Sequence, residues 1–365
     1  MGTARRHPVG PRIMGRLPGG WVPCKFERFE VAPVTPTIGA ELGGLSLENV
    51  DDELFAELDR ALLEWKVLIV RNQPIDVAAH GALALRWGPL TDDQLIPNPG
   101  TAALTDAITF ERNDTVVGLE NMWHTDGTFR EHPPVCTILR AIEIPPVGGD
   151  TLFADMAAAW DNLDPELQDR LASLSARHDW SIGAYADKYG DQLDELRSEV
   201  PPAVHPVARP HPRTGRLTLF VNSGFTTELI DGDESPVDDS DKLLDFLCRQ
   251  AEIPEYHCRV RWTPNTVVIW DNQAVQHYGA NDYYPTRRVM AKSPGLPLRH
   301  WGHNLPDISG TLQSTNFCTY PFSSALRACS ANSSTIFSAS NTVLRSDRIP
   351  EVETATQRAR PPVNA

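Results

Sequence analysis

At 365 residues, with 41% hydrophobic and 22% charged side chains, the chain suits one large domain with extensions or two domains around a sizeable core. A formal net charge of −15 excludes recognition of nucleic acid or an anionic membrane surface by bulk electrostatics, though not a local basic pocket for a small anion. No apolar run approaches the ~20 residues needed to cross a bilayer, and six scattered cysteines without a Cys-x-x-Cys pair read as reduced thiols of a cytoplasmic protein.

Residues 1–24 are rich in Gly, Pro and Arg and carry no period, which predicts a flexible N-terminal arm. Asp51 to Trp65 reads as an amphipathic helix with Leu54, Phe55, Leu58, Ala61 and Leu62 on one face. Val67 to Val70 follows as a buried strand, then a helix near Ala79–Trp87 and a Pro-rich loop over 89–104. Val135 to Ile144 is β-rich. The turn at Gly148-Gly149 leads into a strand from Thr151. Asp164 with Pro165 marks a helix start, as N-cap followed by Pro at the first helical position. Residues 181–202 are polar without a clear period and predict a lid loop.

Strands resume at Leu217–Asn222. Six acids within 231–241 predict a solvated loop, and a helix follows near Lys242–Ala251. His257–Trp262, Asn265–Trp270 and Arg287–Ala291 complete the strands. Residues 301–365 are rich in Ser and Thr and predict a disordered tail. The order of elements predicts a mainly β fold with flanking helices: a double-stranded β-helix, the cupin-like jelly roll, over residues 25–300.

Within this frame, Trp123-His124-Thr125-Asp126-Gly127-Thr128 places an imidazole and a carboxylate two residues apart. On a strand both would project from one face. Two His and one carboxylate on one side of a metal form the facial triad of non-haem Fe(II) oxygenases. The stretch from Trp270 to His277 offers the second imidazole. Alone, a His-x-Asp pair is weak, and a lone His is more often a packed core residue. Likewise Arg288 reads equally well as a surface ion-pair partner, Thr151 as an ordinary strand residue and Trp270 as core.

Four stretches change that balance jointly: Trp123 to Phe129, Gly148-Gly149-Asp150-Thr151, Asn222 to Thr227, and His277 through Arg288. In this order they resemble the taurine dioxygenase family of Fe(II)/2-oxoglutarate oxygenases over roughly Pro33 to Lys292. The resemblance implies that His124, Asp126 and His277 bind Fe(II) and that 2-oxoglutarate and O2 are co-substrates. It implies that Arg288, with Thr151 as hydroxyl donor, grips the distal carboxylate of 2-oxoglutarate. Trp270 and Trp123 are expected to flank the ligands and keep water out. The implied activity is hydroxylation of a C–H bond of a small organic acid or related molecule, giving succinate and CO2, with cleavage where the carbon bears a heteroatom.

Departures from the taurine-specific pattern bear on the substrate. Asp93 and Ile96 stand where such members place sulfonate-binding residues, Glu120 stands four residues before His124 in place of Asn, and Lys292 replaces a second Arg. Asp93 and Glu120 would repel a sulfonate, and either could hold an amine or simply face solvent; Lys292 can hold an anion as a point charge, and Phe225 is expected to form an apolar wall. A non-catalytic jelly-roll protein that binds a metal or small acid, and a Zn2+ hydrolase, are the competing readings. The expected partner is a small molecule, with neither nucleic acid nor membrane; a homo-oligomer is left open.

Overall fold

The computed structural model describes residues 24–90 and 107–295. The arm before residue 24, the tail 301–365 and Asp93 lie outside them. Fifteen strands and seven α-helices make a mainly β architecture within that span. Among the described residues no helix is long and apolar enough to cross a membrane.

A seven-stranded sheet runs, in spatial order, Glu30–Pro33, Ala40–Gly43, Val67–Val70, Val267–Asp271, Cys136–Glu143, Arg288–Gly295 and Ile108–Arg112. Only the pair Ala40–Gly43 and Val67–Val70 is parallel. A three-stranded sheet, His257–Val260, Thr151–Asp155 and Val275–Gly279, packs over one face. These are the two layers of the jelly roll, open at their edges rather than closed into a barrel. Two smaller sheets, of three and two strands, hold the remaining described strands.

The period of two decides which face each residue serves. On the central strand, Val268 and Trp270 point between the sheets, where they meet Phe153, Cys258, Val260 and Val275. Val267 and Ile269 point the other way, against Leu54, Leu58, Ala61 and Trp65 of the helix Asp52–Trp65. That helix starts where its cap predicts: the Asp51 carboxylate accepts from the Leu54 N–H. A strand covered on both faces explains the unbroken apolar run.

One buried ion pair ties the layers. Lys66, in the left-handed conformation that ends the first helix, places Nζ 3.1 Å from Asp155 Oδ2. Asp155 is fully buried, and its other oxygen caps the helix Met156–Asp161. Asp155→Ala leaves Lys66 buried without its counter-charge and removes a cap. It is expected to cost about 3–5 kcal/mol, read as a lower midpoint in urea denaturation.

Three expectations are corrected. Residues 181–202 are not a loop: they hold two short helices, Gly183–Tyr189 and Leu193–Glu199. Tyr189, Leu193 and Leu196 rest on Phe129, Trp180, Val200 and Phe225. The His124–Asp126 stretch is not a strand: His124 forms a single antiparallel bridge to His277, and Asp126 opens a turn. Cys136, Cys248 and Cys258 are free thiols, but Cys24 is disulfide-bonded.

Candidate metal and carboxylate site

The backbone brings the His-x-Asp stretch to the strand Val275–Gly279. His124 and His277 exchange both backbone hydrogen bonds, at 3.1 and 2.8 Å, which sets the two imidazoles side by side with ring centres 4.1 Å apart. The turn that follows returns the Asp126 carboxylate to the same point. Its Oδ1 lies 3.7 Å from His124 Nε2 and 3.6 Å from His277 Nε2. One donor atom from each of the three lies within 4.8 Å of the other two, a spacing that can hold one ion.

The donors are prepared for that task. His124 Nδ1 donates to the Met122 carbonyl at 2.8 Å, which leaves the Nε2 lone pair for a ligand. His277 is buried, and burial holds its pKa well below the ordinary imidazole value, so it is neutral. Its ring is wedged against Trp270 at 4.9 Å and Phe153 at 6.0 Å. Burial alone would raise the Asp126 pKa; the Lys292 ammonium, with the Thr137 hydrogen bond, counters it and keeps the carboxyl ionised. Two imidazoles and a carboxylate, all to one side, are the donor set of a non-haem Fe(II) centre.

A relay behind the site fixes Asp126. The Thr137 hydroxyl donates to Asp126 Oδ2 at 2.8 Å and accepts from Asn272 Nδ2 at 2.7 Å, while Asn272 Oδ1 accepts from Trp270 Nε1 at 2.9 Å. Trp270 thus packs His277 and anchors Asp126 through two intermediates. Trp123 does not flank the ligands. It packs against His257 and Tyr278, the residues that alternate away from the metal side.

Beyond the triad lies a cavity of about 240 Å³. Its far wall carries Arg288 and Thr151. Arg288 is 9% exposed, and its Nε has no hydrogen-bond partner. Trp262 and Tyr283 lie at 5.9 and 5.8 Å from the guanidinium and shelter it from water. The Thr151 hydroxyl accepts from Trp262 Nε1 at 3.0 Å, so its own proton is available to a second acceptor. A buried guanidinium with an unsatisfied donor, beside a hydroxyl, fits the carboxylate of a co-substrate. Arg287 points out to solvent, where it pairs with Glu111 and Glu143.

Two glycines make room for this wall. Gly148 and Gly149 have φ of +78° and +71°, which L side chains rarely adopt. A Cβ on Gly149 would meet Tyr283 at 3.2 Å and lie 3.6 Å from Arg288 Cδ.

The other expected contacts fall as follows. Lys292 lines the cavity and reaches Asp126 Oδ1 at 3.0 Å. Glu120 lines it too, but is paired with Arg112; that pairing outweighs burial and lowers its pKa. Ile108, Phe110 and Leu139 supply apolar surface. Phe225 is buried with its ring edge-on to His124, centres 6.1 Å apart. Thr137, Asn272 and Trp262 carry no metal-ligand or anion-binding spacing in the sequence, and only the fold brings them to the site.

The family described as "Taurine catabolism dioxygenase TauD, TfdA family" matches residues 30–293. The (S)-phenoxypropionate/alpha-ketoglutarate-dioxygenase of Sphingobium herbicidovorans is 31% identical over 72% of this chain and 93% of its own. An alpha-ketoglutarate-dependent sulfate ester dioxygenase of Pseudomonas putida is 32% identical over 72% of this chain and 88% of its own. Among solved structures, a putative alpha-ketoglutarate-dependent taurine dioxygenase from Burkholderia xenovorans superposes with a TM-score of 0.62. It is 27% identical, over 74% of this chain and 93% of its own.

Proposed function

The chain belongs to the TauD, TfdA family and is an Fe(II)- and 2-oxoglutarate-dependent dioxygenase, and on that premise we propose that it hydroxylates a C–H bond of a small organic monoanion. One O2 and one 2-oxoglutarate are consumed, one oxygen atom enters the substrate, and succinate and CO2 leave. Where the hydroxylated carbon bears a heteroatom, that group departs.

In this reading His124, Asp126 and His277 hold the iron, which supplies the oxidative chemistry when bound. Arg288 and Thr151 take the distal carboxylate of 2-oxoglutarate. Trp270, Trp262 and Tyr283 exclude water. Residues 181–202 act as a lid, since their apolar side chains rest on Phe225, the neighbour of His124.

The observation that carries the substrate class is the charge balance of the cavity. Among the described residues, three cations, Arg112, Arg288 and Lys292, face two carboxylates, Glu120 and Asp126. Fe(II) and the 2-oxoglutarate dianion add charges that cancel. A single positive charge is left beside the apolar surface of Ile108, Phe110 and Leu139. That combination supports a monoanion with an apolar body. Because Arg112 already neutralises Glu120, an amine gains little there. The reading also includes a cytoplasmic setting and no nucleic-acid or membrane partner.

The test is a substrate screen by succinate release. Phenoxyacetates, alkyl sulfates and alkylsulfonates are compared with amines of matched size. At least one monoanion is expected to raise succinate release well above the substrate-free rate and to yield its hydroxylated or cleaved product. Stimulation by the amines alone would contradict the assignment.

A further inference from the structure

His178, His205 and Asn222 line no part of the cavity beyond the triad, yet all three reach the turn that carries Asp126. That turn is closed by the Arg130 N–H on the Gly127 carbonyl at 2.9 Å. On its metal side it is pinned to the strand Val275–Gly279, where the Thr125 hydroxyl donates to the Val275 carbonyl at 2.8 Å. On its other side the pins come from a separate sheet, built of Thr226–Ile230, Ser175–His178 and Ala203–Pro206, and from Asn222 just before it. His205 Nε2 donates to two carbonyls of the turn, Thr128 at 2.8 Å and Arg130 at 3.0 Å. Asn222 Nδ2 donates to the Thr128 hydroxyl oxygen at 3.1 Å, while its Oδ1 accepts from the Phe225 N–H at 2.9 Å. His178 Nδ1 lies 3.0 Å from the same hydroxyl oxygen. We infer that His205, supported by Asn222, is a positioning residue for the metal: it fixes the turn that presents Asp126, and with it the direction from which that carboxylate meets the ion. This rests on the facial-triad reading.

The chemistry of the contacts supports a fixed clamp. Carbonyl oxygens only accept, so Nε2 of His205 carries the hydrogen and one tautomer serves both bonds. His178, His205 and Asn222 are all buried, so water is poorly placed to replace a lost bond. A strand residue is held by a ladder on each side, whereas Asp126 sits on a turn and takes its backbone position from the pins around it. Thr137 fixes only the tip of the side chain, at Oδ2. The clamp fixes the backbone two and four residues further on, at Thr128 and Arg130.

The experiment titrates Co(II) alone into the wild-type protein, His205→Leu and His205→Gln, read by the visible ligand-field absorption of the bound ion and by calorimetry. Outer partners that orient metal ligands are typically worth ~10–100-fold in metal affinity, and a partner acting through the backbone belongs at the lower end. His205→Leu is therefore expected to bind Co(II) about tenfold more weakly, with an altered absorption envelope at saturation. His205→Gln, whose amide can donate to the same carbonyls, should recover most of the affinity and the wild-type envelope. Leu58→Ala, a core truncation in the helix Asp52–Trp65, should lower the melting temperature and leave both readouts unchanged. If His205→Leu does not fold, Thr128→Val decides the matter. It keeps the volume, removes the oxygen shared by Asn222 and His178, and should weaken Co(II) binding in the same direction. Wild-type affinity and envelope in the folded variant, a loss that His205→Gln does not recover, or an equal loss in Leu58→Ala would each overturn the inference. Failure of the wild-type protein to bind Co(II) would instead contradict the triad reading.

Discussion

His277→Ala is expected to reduce 2-oxoglutarate-dependent succinate release to background while the protein stays folded. His124 and Asp126 alone leave an ion with two protein ligands, and a two-ligand site holds Fe(II) poorly. The damage should be specific to the metal. The strand pairing of residue 277 with Phe153, and its two backbone bonds to His124, do not depend on the imidazole. The ring is packed against Trp270 and Phe153, so some loss of melting temperature should accompany the variant. The measurement is iron content after reconstitution together with succinate release. Near-normal values of both in the folded variant would remove His277 from the site.

Arg288→Ala is expected to weaken 2-oxoglutarate binding by roughly 30-fold or more, whereas Arg287→Ala leaves it nearly unchanged. Adjacent side chains of an extended backbone face opposite ways. Arg288 faces the cavity with an unpartnered Nε. Arg287 faces solvent with its side chain 47% exposed and two carboxylates around it. Breaking a sheltered charge pair costs ~2–5 kcal/mol, much of it from the partner left unpaired, and ~1.4 kcal/mol is a factor of ten in affinity. An exposed ion pair contributes ~0–1 kcal/mol. Calorimetric titration of both variants with 2-oxoglutarate separates the two. A larger loss in Arg287→Ala would place the co-substrate on the opposite face of the strand.

Much of the fold was legible because its period is simple. The run Val267–Trp270 is apolar on both faces, and the structure covers both faces of that strand. Asp164 followed by Pro165 starts the helix Pro165–Leu171, with the Asp164 carboxylate accepting from the Glu166 N–H. Residues 181–202 escaped because each helix there has seven residues, too few turns for a 3.6-residue period to emerge from a charged background. The strand expected at His124 was wrong in kind, yet it brought the same two side chains together. A one-residue bridge to His277 followed by a turn does the work that pleating was expected to do.

In the site, legibility followed resemblance rather than distance. Singly, His124, Asp126, His277, Arg288 and Thr151 each had an ordinary reading; their roles came from the joint resemblance of four stretches to one family. Thr137 and Asn272 are ordinary polar residues whose role exists only through a hydrogen bond spanning 135 positions. The contact of Lys292 with Asp126 spans 166 positions. Nothing local marks Lys292 as the neighbour of a metal ligand rather than of a substrate. Trp123 was misplaced because adjacency to His124 suggested proximity to the ion, whereas the alternation of side chains sends it to Tyr278 and His257.

The central claim is that this triad and Arg288 together hold Fe(II) and 2-oxoglutarate in one cavity. The most direct test is anaerobic addition of 2-oxoglutarate to the Fe(II)-loaded protein, followed by visible absorption. A weak charge-transfer band is expected in the wild-type protein, saturating with 2-oxoglutarate. It should be absent in His277→Ala and shifted to higher 2-oxoglutarate concentration in Arg288→Ala. No band in the wild-type protein, or an undiminished band in His277→Ala, would contradict the claim.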